Sequence, residues 1–445
     1  MKRMIFHQLQ KWKKSPRRKP LLLRGARQVG KTYITRELGK EFPRFVEINL
    51  ELSPKLKRVF HYDLDANRII RDLSLVTGEK IIPGETLLFI DEIQEEPKAV
   101  TALRYFYEMI PQLHVIAAGS LLEFELDQVG MPVGRVSSLY LYPLSFMEYL
   151  KAKNQELLME TILEPGRIKP VSEVVHEKLM RLLGEYMSSG GMPEAVECFL
   201  ETSDLHECFN VHRTIIHTYR QDFHKYTRKY QLKYVELLFD SIPTLQGKKF
   251  KFSHIPGEYR KRDLQPALDL LVKAGIIHKI THSSGQGIPL AATMRPEVFK
   301  LLFLDVGISQ TIMGTDTASW LLQPEINFIS KGMLTEVFVG QELLAYSLPD
   351  QDGELWYWQK EARSSNAELD YLVRFKDRVI PVQVKSGSPG TSRSLRLFLN
   401  SHSSSSYGIR LTASNYSIDG DIHSYPLYSV SRLRPRCLEQ LLSLT

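Results

Sequence analysis

Close to the N-terminus three apolar residues, Leu21, Leu22 and Leu23, lead into Gly25-Ala26-Arg27-Gln28-Val29-Gly30-Lys31-Thr32, and a helix-patterned stretch opens at Lys31. Few local patterns restrict a fold as strongly. The spacing GxxxxGKT works when a buried strand delivers the chain into a loop whose backbone N–H groups converge on one point, with a helix leaving that loop positive end first. Glycines permit the backbone angles such a loop needs. In this reading Gly25 to Thr32 cradle phosphate groups, Lys31 reaches the outer phosphates and the Thr32 hydroxyl holds magnesium. A chance glycine turn is the alternative, so the rest of the chain must supply the partners.

Two later strands supply them. In "TLLFIDEIQ" a buried run ends in Asp91 and Glu92, at the carboxyl end of a strand, where ligands of open α/β sheets bind. Asp91 suits the magnesium shell, and Glu92 suits orienting and polarising an attacking water. "LHVIAAGSLL" is a third buried strand, ending in Gly119 and Ser120. In ring-type ATPases a polar residue at this strand end lies between the acidic strand and the phosphate loop, and Ser120 fits that role. A serine that merely ends the strand in a turn is the bland reading.

The alternation of "PLLLRG", "RFVEINL", "TLLFIDE", "HVIAAGS" and "SSLYLYPL" with helix-like segments at Lys31 to Phe42 and Pro97 to Ile110 predicts a parallel sheet covered on both faces, hence α/β architecture. With 445 residues the chain is long enough for about three domains. No apolar run of about 18 residues is present, which argues against a membrane span. The basic N-terminus lacks the apolar core of a signal peptide. Cys198, Cys208 and Cys437 are too few and scattered for a disulfide framework or zinc site, so a reduced, cytoplasmic setting is expected. The net charge of +7 fits attraction to polyanions such as DNA, although many soluble proteins are equally basic.

Beyond Pro143 the pattern turns helical, broken at "SSGGMPEAV". Leu264, Leu268, Leu271 and Ala274 share one helical face, Gly275 is a plausible C-cap, and a strand begins at Ile276. Helix, tight turn, strand and polar loop resemble a winged-helix unit, which serves DNA binding in some proteins and plain docking in others. The nearby "GKKFKF" and "EYRKRD" supply a basic surface or a merely solvated face.

Taken in order, "RGARQVGKT", "FIDEIQ", "AAGSLL", "GRVSSLYLYPLSFMEYL" and "SSGGMPEAV" resemble a widespread group of prokaryotic AAA-type P-loop ATPases with an archaeal-ATPase-like core and a C-terminal domain of unknown function. "LVKAGII", "KLLFLDVGI", "LTEVFVGQELL" and "ELDYLV…IPVQVKSG" resemble that C-terminal part. The resemblance implies ATP binding and leaves activity beyond that poorly defined; hydrolysis of ATP with Mg2+ is the expectation from Thr32, Asp91 and Glu92, and a non-hydrolysing nucleotide switch or scaffold, or an ATP-gated nuclease, is the alternative. The resemblance names no substrate; DNA or a protein partner is the expectation for the C-terminal half, and because AAA relatives often form rings, an oligomer is expected too. It also carries over the Gly134-Arg135 step, whose arginine either stabilises charge on a transferred phosphate, in cis or across a subunit interface, or forms a structural ion pair.

From about Gly332 the order helix-strand-strand-strand-helix-strand, with Glu336, Asp370, Gln383 and Lys385, resembles the PD-(D/E)XK nuclease core. That resemblance implies carboxylates holding a divalent cation, with the lysine positioning water. Gln383 and Lys385 point to one side of their strand. Gln383 departs from the pattern, since an acid usually stands there, and the lost charge weakens metal affinity. A folded remnant used for docking is the competing reading. The expected division is 1–150 for the AAA-type P-loop core, 151–205 for a helical lid or connector, 206–320 for a helical and winged-helix-like region, and 321–445 for the nuclease-like α/β domain.

Overall fold

The computed structural model describes residues 1–119, 130, 134–164, 169–227, 229–360, 367–385 and 392–434. Its first sheet contains β1 (Leu21–Arg24), β2 (Arg44–Asn49), β3 (Thr86–Asp91), β4 (His114–Ala118) and β5 (Ser137–Tyr140), all parallel, in the order β2-β3-β4-β1-β5. Successive side chains point to opposite faces. Thus Leu21, Leu23, Leu87 and Phe89 enter one apolar cluster, while Leu22, Leu88 and Ile90 enter another across the sheet. Both faces are buried, as the continuous apolar runs predict. The order puts β4 between the strand that feeds the glycine loop and the strand that ends in Asp91.

The second sheet has eight strands and mixed direction. In chain order they are β6 (Ile277–Ser283), β7 (Met294–Phe303), β8 (Leu355–Gln359), β9 (Glu368–Phe375), β10 (Arg378–Val384), β11 (Gly408–Thr412), β12 (Ser417–Asp419) and β13 (Ile422–Pro426). They lie as β12-β13-β11-β10-β9-β8-β6-β7. The hairpin β6–β7 joins the later strands through a parallel pairing of β6 with β8, Ile280 opposite Leu355. The boundary expected at residue 320 therefore falls inside one continuous sheet. Strand patterns in a sequence show where strands are, but not which distant strand each one pairs with.

The helices between the sheets are shared in an unexpected way. Those at Phe146–Ala152 and Glu173–Ser189 bury Phe146, Tyr149, Leu183 and Tyr186 in one cluster with Phe338, Tyr357 and Val382 of the C-terminal region. Those at Leu205–Tyr226, Lys229–Leu245 and Lys261–Lys273 bury Ile215, Tyr219, Phe239 and Leu268 in one cluster with Leu21, Ile34 and Phe89 of the first sheet. Residues 151–205, expected to form a lid or connector, thus pack mainly on the C-terminal core, with Pro193 standing against Gly30 of the loop, and the helix Leu205–Tyr226 also meets the loop. Among the described residues no helix is long and apolar enough to cross a membrane.

Candidate functional site

The loop between β1 and the helix Lys31–Gly39 is built from left-handed backbone turns, with φ of 138° at Gly25, 65° at Gln28 and 97° at Gly30. At Gly25 a Cβ would stand 2.2 Å from the Leu141 carbonyl oxygen, so close approach as well as backbone angle demands glycine. Gln28 has the rarer case, a positive φ with a side chain attached. Such alternation turns consecutive N–H groups inward, a concavity suited to an anion.

Lys31 is buried, and its Nζ donates to the carbonyl oxygens of Gly25 at 2.9 Å and Ala26 at 2.8 Å. Burial pushes its pKa down to about 8, against the pull of Glu92 and Asp91. An ammonium whose hydrogen bonds go to neutral carbonyls in a buried site favours an arriving anion. Asp91 lies at the end of β3, and Thr32 Oγ1 donates to its Oδ2 at 3.0 Å. Burial and the neighbouring Glu92 hold the Asp91 carboxyl above its ordinary range, offset by Thr32 and by the Glu92 N–H. Glu92 has φ of 50°, so the chain turns sharply as the strand ends, and Gln94 Nε2 donates to its carboxylate at 2.6 Å. The two motifs therefore meet through Thr32 and Asp91, residues 59 apart in the chain.

Other residues hold the loop, and the sequence reading missed them. Buried Arg3 donates to the Val29 carbonyl at 2.9 Å, to the Tyr142 carbonyl at 2.7 Å and to Glu148 at 2.9 Å. From the helix Leu205–Tyr226, Tyr219 donates its hydroxyl to the Arg27 carbonyl at 2.8 Å, and Asp222 accepts from Arg27 with both oxygens at 2.9 Å. Lys225 donates to Glu51 at 2.6 Å. Positions 219, 222 and 225 recur along one face of that helix, so the spacing was visible. Their targets, Arg27 and Glu51, lay 174 to 195 residues upstream. On its other flank the loop meets Gly275, where a Cβ would lie 3.3 Å from the Ala26 nitrogen. A cavity of about 370 Å³ opens there between Gly25, Ala26, Tyr142, Lys279 and Trp356.

Two expected participants stand differently. Ser120 lies outside the described residues, though β4, which precedes it, holds the predicted middle position. Arg135 is a correction to the role in cis. It precedes β5, whose first residue Ser137 pairs with Leu21 at the start of β1, so it lies at the sheet end opposite the loop. There it is half-exposed and donates to Glu108 at 3.2 Å. A parallel strand separates the two ends, and a side chain does not cross it.

The second group of residues converges on a lysine that the sequence reading did not single out. Lys300 of β7 is fully buried, with Nζ 2.9 Å from Glu336, 2.5 Å from Glu368 and 3.8 Å from Asp370. Burial alone pushes Lys300 down, but the three carboxylates outweigh it and hold its pKa above the usual range. Burial raises both Glu336 and Asp370, with repulsion from Asp370 and Glu368 adding at Glu336 and repulsion from Glu368 adding at Asp370. Asp370 Oδ2 accepts from the Val384 N–H at 2.7 Å. The Gln383 Oε1 is buried with no hydrogen-bond partner, and the charge of Lys385 acts on Asp370. Lys300 was visible as a lone charge within "VFKLLFL", and Glu368 as the residue two before Asp370 on the same strand face.

Comparison with known proteins divides the chain as its motifs do. A family model described as an AAA domain matches residues 17–150, a domain of unknown function (DUF8612) matches 180–319, and another (DUF4143) matches 331–430. No curated protein matches. Among solved structures, a Walker-type ATPase of Pyrococcus abyssi is 17% identical, with 69% of this chain and 94% of that chain covered and a TM-score of 0.44. The Orc1 protein of Aeropyrum pernix in complex with DNA is 12% identical, covering 71% and 92% with a TM-score of 0.27. PCH-2 of C. elegans is 12% identical, covering 46% and 64% with a TM-score of 0.25. The AAA match and the five-stranded parallel sheet make the N-terminal region a P-loop domain of AAA type, the fold of nucleotide-binding ATPases.

Proposed function

We propose that the protein is a magnesium-dependent ATPase whose nucleotide state is read by the helix Leu205–Tyr226 and passed to the following helices and hairpin. The carrying observation is convergence: the loop that bears Lys31 and Thr32, and the strand end that bears Asp91 and Glu92, meet at the Thr32–Asp91 contact. The donors suit the ions. A hydroxyl and a carboxylate are hard oxygen ligands of the kind magnesium takes, and magnesium bound there supplies neutralisation of phosphate charge. Lys31 exchanges its two loop carbonyls for phosphate oxygens, and the inward N–H groups hold the remainder. Glu92 orients water, with Gln94 steadying its carboxylate. Ser120 is assigned water placement from the end of β4.

Arg27 links this chemistry to the rest of the chain. A loop that tightens around phosphate displaces the Arg27 carbonyl and guanidinium, and with them Tyr219 and Asp222. Three helices followed by the hairpin β6–β7 support a winged-helix reading of that region. Lys248, Lys249, Lys251, Arg260, Lys261 and Arg262 are exposed just before or at the start of the helix Lys261–Lys273, and DNA is the partner such a patch fits best. The test is phosphate release with and without duplex DNA over a salt series. Stimulation that fades with salt is expected. Undiminished turnover in both Lys31→Ala and Glu92→Gln would remove the ATPase assignment, and turnover indifferent to DNA at every salt concentration would remove the DNA partner.

A further inference from the structure

The nuclease-like order of the C-terminal elements implies a divalent cation between Glu336, Asp370 and the position of Gln383. The residues present do not fit one. The point where their oxygens converge is taken by the Lys300 ammonium, which lies within 3.8 Å of three carboxylates. Oxygen ligands of magnesium stand about 2.1 Å from the ion and those of calcium about 2.3–2.6 Å, so a cation at that point overlaps Nζ. Nor is the lysine free to swing away. Its side chain is 0% exposed, its backbone pairs with Ile280 in β6 on one side and with Lys249 on the other, and its Nζ lies 5.3 Å from the centre of the Tyr357 ring.

We propose that Lys300 is an internal cation standing in place of a metal, so that Glu336, Glu368 and Asp370 form a charge lock and not a phosphodiester-cleaving centre. The lock ties three elements together: Lys300 comes from β7 of the hairpin, Glu336 from the helix Gly332–Ala345, and Glu368 and Asp370 from β9. It holds the hairpin, entered through the turn at Gly275 that closely approaches Ala26 of the phosphate loop, against the C-terminal layer. Gln383 fits this scheme, because a fourth carboxylate would leave one lysine against too many negative charges. Glu336 and Asp370 are therefore retained for a structural purpose, as counterions of a lysine.

A lysine lock and a vacant metal site give opposite signs in one experiment. In a vacant acidic site, neutralising one carboxylate relieves repulsion and raises thermal stability. In a lysine lock it strips the ammonium of a partner and lowers stability. The measurement is the unfolding midpoint of the full chain, free of nucleotide and in EDTA, for the wild type, for Glu368→Gln, which removes the acid 2.5 Å from Nζ, and for Lys300→Met, which strands the acids. Both variants are expected to melt several degrees lower, and an unchanged or raised midpoint in both overturns the lock. Manganese added to the wild type gives a readout that needs no variant to fold. The expected result is an unshifted midpoint and no cleavage of duplex DNA. A manganese-dependent rise, or cleavage, that Asp370→Asn abolishes or that appears where Asp370→Asn cannot be produced overturns the proposal. Because no step uses ATP, failure here leaves the ATPase reading untouched, and the converse holds.

Discussion

Lys31 and Lys300 are both buried ammonium groups, yet they occupy opposite electrostatic settings. Lys31 leans on two neutral carbonyls, and burial brings its pKa to about 8. Lys300 is ringed by Glu336, Glu368 and Asp370, which hold it above the ordinary lysine range. The first is a cation left short of negative charge, as a site for an anionic ligand should be; the second has all the negative charge it can use. A buried lysine near acids is thus no signature in itself. What distinguishes the two is whether the ammonium's direct partners are neutral carbonyls or carboxylates.

The contrast predicts that substitutions around Lys31 cost turnover and those around Lys300 cost stability. The largest effect is expected from Lys31→Ala, which should lower phosphate release by roughly 1000-fold or more, beyond the loss from a single removed transition-state donor. Glu92→Gln should lower turnover by roughly 100-fold or more while ATP binding, followed by a fluorescent analogue, persists. Retained turnover there would break the assignment of Glu92 to water.

Replacing each lysine by Met compares the settings directly. In urea unfolding without nucleotide, Lys300→Met should destabilise by about 3–5 kcal/mol, the cost of stranding buried charges, whereas Lys31→Met should stabilise. The pH dependence sharpens this. Lys31 has its folded pKa, about 8, below its unfolded value, so the native state binds fewer protons between those two values and its stability rises with pH there. The gain from Lys31→Met should therefore shrink above pH 8. Lys300 has a raised folded pKa, so its contribution is complete below the unfolded lysine value and is lost only above it. If the two Met variants respond to pH alike, the comparison fails.

Smaller effects test the surroundings. Asp222→Asn frees Arg27 from its carboxylate partner and should tighten ATP binding several-fold while uncoupling any DNA stimulation, read by titration calorimetry and by turnover. Arg135→Ala removes a half-exposed ion pair with Glu108; turnover should not change, and stability should move by less than about 1 kcal/mol.

The meeting of the glycine loop with the acidic strand end was legible because the signals for each are local. Glycine spacing, Lys31, Thr32 and the acidic strand end each advertise themselves within a dozen residues, and the buried runs placed all five parallel strands. What escaped is held by distant contacts. Arg3 gripping the Val29 carbonyl, Tyr219 and Asp222 on Arg27, and Lys300 among its acids join segments that no local pattern relates. Arg135 was left between a catalytic role and an ion pair for a related reason. Its neighbours in sequence fit a motif, but the end of the strand on which it falls is set by pairing. The shared helices also escaped, because an apolar stripe says that a face is buried and not which core receives it.

That sharing has a mechanical consequence. The chain leaves the first sheet, builds helices onto the far core, returns to build helices onto the near one, and crosses again to complete the second sheet. The two halves are interlaced like a clasp. Neither should fold intact if the chain is cut at residue 150 or 320, because the returning helices share one core with Val29 of the glycine loop and with Phe299 and Leu301, which flank Lys300.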